Sequence, residues 1–277
     1  MILTNKHNIP VALYNVIKKN IYKPTYDYTR VTELISAPLV KELTIKHWNE
    51  ITADASDFLF SILGQSVHYI LEQGTPENAL GEERMSWKGK DGILSGKSDL
   101  YHNEGIEDWK VTSVFSFLLG LKEEWEAQLN VYKFLWNMNH FPVKSLKINA
   151  ILRDWMRGKA KFDMTYPQIP FLSYKVPLWD DKKAMEYVNT RFTIHQLGSV
   201  ECTPHERWER PDSWAIKKEG NKKATRVLDT EIEAKQYIEN MKDEKAKEKM
   251  IIEHRLGERI KCNDYCLPRD FCPFNQK

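Results

Sequence analysis

Residues 95–112 read SGKSDLYHNEGIEDWKVT, and the way this stretch pairs with itself decides the fold. It contains glycine and β-branched residues and is interrupted at Asn103 and Glu104, the pattern of two strands joined by a two-residue turn. With the turn there, residues whose numbers sum to 207 face each other across the hairpin. Asp99 then opposes Asp108, with Cβ atoms about 5 Å apart. Two carboxylates so placed repel each other, and a divalent cation between them removes the conflict. Lys110, two residues past Asp108 on the same strand, shares its face. A slip of one residue would separate the pair.

Two carboxylates and a lysine on one sheet face are what phosphodiester hydrolysis requires. Mg²⁺ or Mn²⁺ takes oxygen ligands, lowers the pKa of a bound water and neutralises phosphate charge. Lys110 is suited to orient or deprotonate that water and to stabilise the charge that develops on the phosphate. A surface hairpin with incidental charges also contains Asp-x-Lys, so the flanking sequence has to decide.

Upstream, Thr32 is placed to cap a helix over residues 33–47. From Ala55 the residues Phe58, Leu59, Ile62, Leu63, Val67, Ile70 and Leu71 recur at helical spacing up to Gly74. His68 rides on this second helix four residues after Gly64, beside a position without a side chain, which leaves room for a metal or a phosphate. A lone helical histidine is otherwise structural, but imidazole is a competent Mn²⁺ ligand. Downstream, residues 123–136 form an amphipathic pattern with Trp125, Leu129, Tyr132 and Trp136 in one stripe, while Gln128 and Tyr132 share a face. A strand follows from Ser145, another lies within residues 167–180, and a helix spans residues 181–197. The order helix, hairpin, helix, strand defines an α/β or α+β core with a mixed sheet flanked by helices.

The C-terminal third reads differently. Residues 231–255 are expected to form a highly charged helix, with MKDEKAKEKM as its solvated face. Residues 214–227, WAIKKEGNKKATRV, group Lys217, Lys218, Lys222, Lys223 and Arg226 around a turn at Gly220, a pattern suited to phosphate contact. In KCNDYCLPRDFCPF, Cys262, Cys266 and Cys272 fall near the end of the chain, and Cys202 is the remaining thiol of four. Four thiolates fit a tetrahedral Zn²⁺ or a [4Fe-4S] cluster, and spacing does not separate the two. For zinc, His205 and His254 are alternative ligands. With no internal repeat and no linker, residues 1–200 are expected to be one core and residues 201–277 an extension holding the cysteine site.

The chain has 277 residues, of which 42% are hydrophobic and 29% charged, the composition of an ordinary globular protein. Its net charge of +2 neither requires nor forbids a polyanionic partner. The longest apolar run, around residues 114–121, is far short of the roughly 18–20 residues of a membrane span, so no membrane is expected. The polar N-terminus does not read as a signal peptide, and the expected compartment is the cytoplasm.

The ordered set GQSVH with His68, SGKSD with Asp99, EDWK with Asp108 and Lys110, and EAQLNVY with Gln128 and Tyr132 resembles the PD-(D/E)XK nuclease superfamily in its RecB-like exonuclease branch. The resemblance spans about residues 32–132. It implies a restriction-endonuclease-like core, with the metal held by His68, Asp99, Asp108 and the carbonyl of Trp109. Lys110 would be the family lysine, and Gln128 and Tyr132 would position the substrate strand. The second acid is an aspartate where glutamate is commoner. Some members, CRISPR-associated and AddB-type, have three C-terminal cysteines and one distant cysteine around an iron-sulfur cluster. Their distant cysteine precedes the histidine motif, whereas Cys202 follows the core. The function so implied is a Mg²⁺- or Mn²⁺-dependent DNA exonuclease acting on DNA ends in recombination, repair or phage DNA processing, with a helicase or recombination partner. The alternatives are a catalytically silent DNA-binding module with structural zinc and a CRISPR-adaptation-type nuclease. Trp109, Trp125 and Trp136 are candidates for stacking on bases, although the last two sit at core spacing.

Overall fold

The computed structural model describes residues 1–275. The chain opens with strand β1 (Ile2–Thr4), helix α1 (Val11–Asn20), β2 (Thr29–Arg30), α2 (Val31–Leu34), α3 (Pro38–Lys46), β3 (Thr52–Asp54) and α4 (Leu59–Glu72). Next come β4 (Leu80–Gly81), β5 (Arg84–Lys88), β6 (Ile93–Lys97), β7 (Leu100–His102) and β8 (Gly105–Thr112). They are followed by α5 (Val114–Leu118), α6 (Glu123–Met138), β9 (Ser145–Leu152), α7 (Arg157–Phe162), β10 (Phe171–Lys175) and α8 (Asp181–Leu197). Contacts divide the chain into two compact units, Met1–Val200 and a second that begins at Glu201.

The central sheet of the first unit has the order β10-β9-β8-β7-β4. It is mixed: β8 and β9 run parallel, and the other pairs are antiparallel. A parallel pair needs a crossover connection, and α5 and α6 supply it. Asn103 and Glu104 both adopt left-handed backbone, with φ of 49° and 56°, as a two-residue hairpin turn of matching twist requires. The resulting register pairs Leu100 with Glu107 and Tyr101 with Ile106, so the numbers sum to 207. A second sheet, β2-β6-β5, continues the same layer, and α6 packs across both. The shared core includes Leu94, Ile106, Leu129, Leu135, Trp136 and Ile148. Among the described residues no helix is long and apolar enough to cross a membrane.

Two local expectations are corrected. The helix expected over residues 33–47 is broken: α2 ends at Leu34 and α3 starts at Pro38, because a proline disfavours helical backbone at the residue before it. Thr32 lies inside α2 rather than capping it, and Glu33 reaches back to accept from the Arg30 N–H at 2.8 Å. In contrast, α8 occupies residues 181–197, capped by the Asp180 carboxylate on the Lys183 N–H and followed by Gly198 at φ 63°.

The second unit contains β11 (Glu209–Arg210), β12 (Ser213–Lys218), β13 (Arg226–Leu228), α9 (Glu231–Glu239), α10 (Glu244–Lys247), β14 (Met250–Arg255) and β15 (Glu258–Arg259). The helix expected over residues 231–255 is therefore also corrected, since its last six residues are a strand. β14 pairs along its whole length with β12, from Met250 opposite Lys218 to Arg255 opposite Ser213. This long-range ladder, with Ile216 and Ala215 fully buried at its centre, overrides the helical preference of the charged sequence.

Candidate active site

The site forms where the β4–β5 and β6–β7 ladder is interrupted. Asp99 immediately precedes β7, and its Oδ2 accepts the Trp109 N–H at 2.6 Å. Its own carbonyl accepts the Glu82 N–H at 3.0 Å, which sets Glu82 beside it. Glu82 has left-handed backbone, φ 53°, an arrangement that non-glycine residues seldom adopt. From α4, His68 brings Nδ1 to 3.1 Å from Asp99 Oδ1 and 3.6 Å from Glu82 Oε1. Ligand atoms of His68, Glu82 and Asp99 all lie within 4.8 Å of one another. The space beside Gly64, one turn earlier on α4, is open: a Cβ there would meet nothing within 4 Å.

Asp108 lies on the α6 side of β8 and is 2% exposed. Lys110 Nζ stands 2.7 Å from Asp108 Oδ2 and donates to Gln128 Oε1 at 3.1 Å. The Gln128 amide nitrogen donates to Asp108 Oδ1 at 3.3 Å and to the Tyr132 hydroxyl at 3.4 Å. Gln128 thus ties the lysine, the buried aspartate and the tyrosine into one network, and the (i, i+4) spacing on α6 is what lets it do so. The site residues named from the sequence are brought into two adjoining groups, His68 with Asp99 and Asp108 with Lys110, Gln128 and Tyr132.

The electrostatics follow from this packing. Hydrogen bonds to Asp99 and then Glu82 raise the His68 pKa to about 10 against the opposing effect of burial, so the imidazole is protonated at neutral pH without a metal. Burial pushes Asp108 up to about 6; Lys110 opposes this and Asp99 adds to it. Burial, the largest single influence on Glu82, pushes its pKa up, but His68 and Lys97 together outweigh it and hold the carboxyl below the usual range. Burial, followed by the Asp108 charge, raises the Tyr132 phenol. One imidazole nitrogen and two carboxylates, beside a buried third carboxylate, form a donor set that could hold a divalent cation.

Glu82 escaped the sequence reading, although a signal for it existed. Arg84 pairs with Lys97 and Leu80 with Tyr101, so one register, numbers summing to 181, runs through both ladders and sets Glu82 against Asp99. Two tryptophans are corrected as stacking candidates. Trp125 is 8% and Trp136 1% exposed. Trp136 stacks on Tyr101 at 4.3 Å and donates its indole N–H to Ser98 Oγ at 2.9 Å. Trp109 instead lies tilted against Phe171 at 6.4 Å between ring centroids.

In the second unit all four cysteines are unbridged thiols of intermediate exposure. Burial raises Cys266 to about 12, with Cys262, Cys202 and Cys272 adding to it. Burial also raises Cys202 to about 11, with Glu206, Cys262 and Cys272 adding. Cys202 thus lies within electrostatic range of the other three, despite about 60 residues of intervening chain.

The sequence matches no known family's model and no curated protein. Among solved structures the chain is similar to SSO0001 at 18% identity and a TM-score of 0.46, over 71% of this chain and 88% of that one. It is similar to the alkaline exonuclease LHK-Exo from Laribacter hongkongensis at 10% identity and a TM-score of 0.39, over 62% and 87%. It is also similar to a phage related exonuclease from Haemophilus somnus 129PT at 12% identity and a TM-score of 0.31, over 68% and 78%.

Proposed function

We propose that this protein is a metal-dependent DNA nuclease, a RecB-like exonuclease of the PD-(D/E)XK superfamily acting on DNA ends. One observation carries the reading: His68, Glu82 and Asp99 converge within 4.8 Å beside the buried Asp108–Lys110–Gln128 network. In this reading residues 1–200 are the nuclease core. His68, Asp99, Asp108 and the Trp109 carbonyl hold Mg²⁺ or Mn²⁺, and Glu82 joins them. When bound, the ion supplies Lewis-acid chemistry and a water of lowered pKa. Lys110 presents its ammonium to the negative charge that develops on the phosphate, and Gln128 fixes where that ammonium stands. Tyr132, at the edge of the network, orients Gln128.

Residues 201–277 form the extension, in which Cys202, Cys262, Cys266 and Cys272 hold a [4Fe-4S] cluster, with Zn²⁺ as the alternative. Burial raises the thiols of Cys202, Cys262 and Cys266, and neighbouring cysteines contribute to each, which supports either. A bound ion would draw those thiols down to thiolates, and binding would then contribute directly to folding.

The test is incubation of anaerobically purified protein with linear and with circular DNA, in Mg²⁺, Mn²⁺ or EDTA. Linear DNA degraded only with metal is the expected result; absence of cleavage with every metal overturns the nuclease reading. Absorbance near about 400 nm in the same preparation distinguishes the cluster from colourless zinc.

A further inference from the structure

The outer face of β5 and β6 carries a row of side chains that the chemistry above does not use. The two strands pair Arg84 with Lys97, Ser86 with Ser95 and Lys88 with Ile93, so these six residues share one face. The opposite face packs on α6. There Trp87 meets Phe134 edge-on at 5.0 Å, and a Cβ on Gly96 would strike Tyr132 and Leu135. On the outer face Arg84, Ser86, Lys88 and Lys97 are exposed. β2 adds Arg30 alongside Ser95, its guanidinium 3.2 Å from the centre of the Tyr22 ring.

Apart from Lys97, which pairs with Glu82, the charges on this face are poorly compensated. Arg84 donates Nη1 to Ser95 Oγ at 3.0 Å. Among the described residues neither Arg84, Lys88 nor Arg30 forms an ion pair with a carboxylate. Asp27 lines the same depression as Tyr28 and Arg84, and its carboxylate accepts from the Thr25 hydroxyl. The Tyr28 phenol is pulled below its usual range, first by Tyr22, then by Arg30, with Arg84 contributing. Like charges on one ribbon destabilise it when left unpaired. Residues two apart on a strand are about 6.8 Å from each other, so the row offers, along one path, cations at its two ends, Lys88 at one and Arg84 with Lys97 at the other, and the exposed Ser86 hydroxyl between them.

That path ends at the metal site. Lys97, at the end of β6, forms an ion pair with Glu82, whose other carboxylate oxygen faces His68. We propose that the outer face of the β5–β6 ribbon is the track on which a nucleic-acid backbone approaches the metal site, its phosphates held first by Lys88 and then by Arg84 and Lys97 side by side. This rests on the nuclease reading and deepens it by assigning the path of the substrate. Guanidinium binds phosphate bidentately, so Arg84, opposite Lys97 at the end of the row nearest Glu82, is the strongest of the three contacts.

The test is binding of a fluorescent DNA oligonucleotide to the full-length protein in EDTA, followed by anisotropy across a salt series. An Arg84→Ala, Lys88→Ala double variant is expected to bind roughly fivefold to tenfold more weakly. Its slope of log K against log salt should shrink by about 1.4 to 1.8, the value for two lost phosphate contacts. A charge-conserving Arg84→Lys, Lys88→Arg variant should restore most of the slope. Lys175→Ala with Lys182→Ala, exposed lysines outside the ribbon, should leave it unchanged. A normal slope in the double variant, or an equal loss in the Lys175 and Lys182 control, overturns the track while leaving the nuclease reading intact. Wild-type protein that neither binds nor cleaves DNA overturns both. Circular dichroism of each variant shows whether the ribbon is folded, and the salt slope is read only on folded protein.

Discussion

Helices α4 and α6 both supply site residues, yet they are built in opposite ways. α4 carries the more apolar sequence and buries none of its residues: Phe60 is 67% and Ile70 66% exposed. α6 buries eleven of its sixteen residues, including the polar Gln128, Asn130 and Lys133. Each of those three has partners. Gln128 joins the Lys110 and Asp108 network, Asn130 donates to the Pro177 carbonyl and accepts the Trp179 N–H, and Lys133 pairs with Asp181 at 2.6 Å. Apolar periodicity therefore reports which face of a helix is oily, while depth of burial depends on what the rest of the chain places against it. α6 holds Gln128 and Tyr132 in a buried, hydrogen-bonded interior. α4 presents His68 from an exposed helix, on the open side of the site.

The difference is sharpest in chemistry beneath α6. Asp108→Ala should reduce metal-dependent cleavage of linear DNA to background while binding in EDTA persists, since it removes a metal ligand and not a phosphate contact; retained cleavage would break the site assignment. Trp136→Ala, in the buried stripe of α6, should cost about 3–5 kcal/mol of stability, read from urea unfolding. Gln128→Ala should cost less, about 1–3 kcal/mol, because it leaves Asp108 and Lys110 short of a partner in the interior. Its cleavage rate should fall as well, which separates a positioning role from simple packing.

The exposed helix predicts smaller effects. In EDTA, His68 has a folded pKa of about 10 against about 6.5 when unfolded, so its stabilising contribution is complete below about pH 6.5 and is lost as pH rises through 10. The urea midpoint of metal-free protein should decline across that window. Asp99→Asn, which removes the largest cause of the shift, should flatten the decline; an equal decline in both proteins would contradict the His68–Asp99 pairing. Leu63→Ala on α4 should change stability by no more than about 0.5 kcal/mol. A loss as large as that of Trp136→Ala would show that α4 is packed in solution as α6 is.

Much of the site was legible because its signals are local. A two-residue turn at Asn103 and Glu104 dictates the register of the hairpin, which leaves Asp99 just past the last paired residue, where it accepts the Trp109 N–H, and the strand period sets Lys110 on the same face as Asp108. The (i, i+4) pair Gln128 and Tyr132 follows from helix geometry in the same way. Glu82 required a second register, that of β5 with β6, to be carried past the end of one ladder into the next. Residues 250–255 were misread for a related reason: their charged sequence suits a helix, and only β12, more than thirty residues away, makes them a strand.

The sequence by itself determined the order of hairpin, helix and strand over residues 95–152, the face shared by Asp108 and Lys110, and the four thiols available to a metal. These depend on strand and helix periods and on turn chemistry, which act over a few residues. Tertiary structure alone decided that α4 stays exposed, that Glu82 joins His68 and Asp99, that Asp108 is buried enough to titrate near 6, and that Cys202 lies near Cys262, Cys266 and Cys272. Each of those outcomes depends on desolvation or charge between residues distant in the chain, and such terms exist only once the chain has closed on itself.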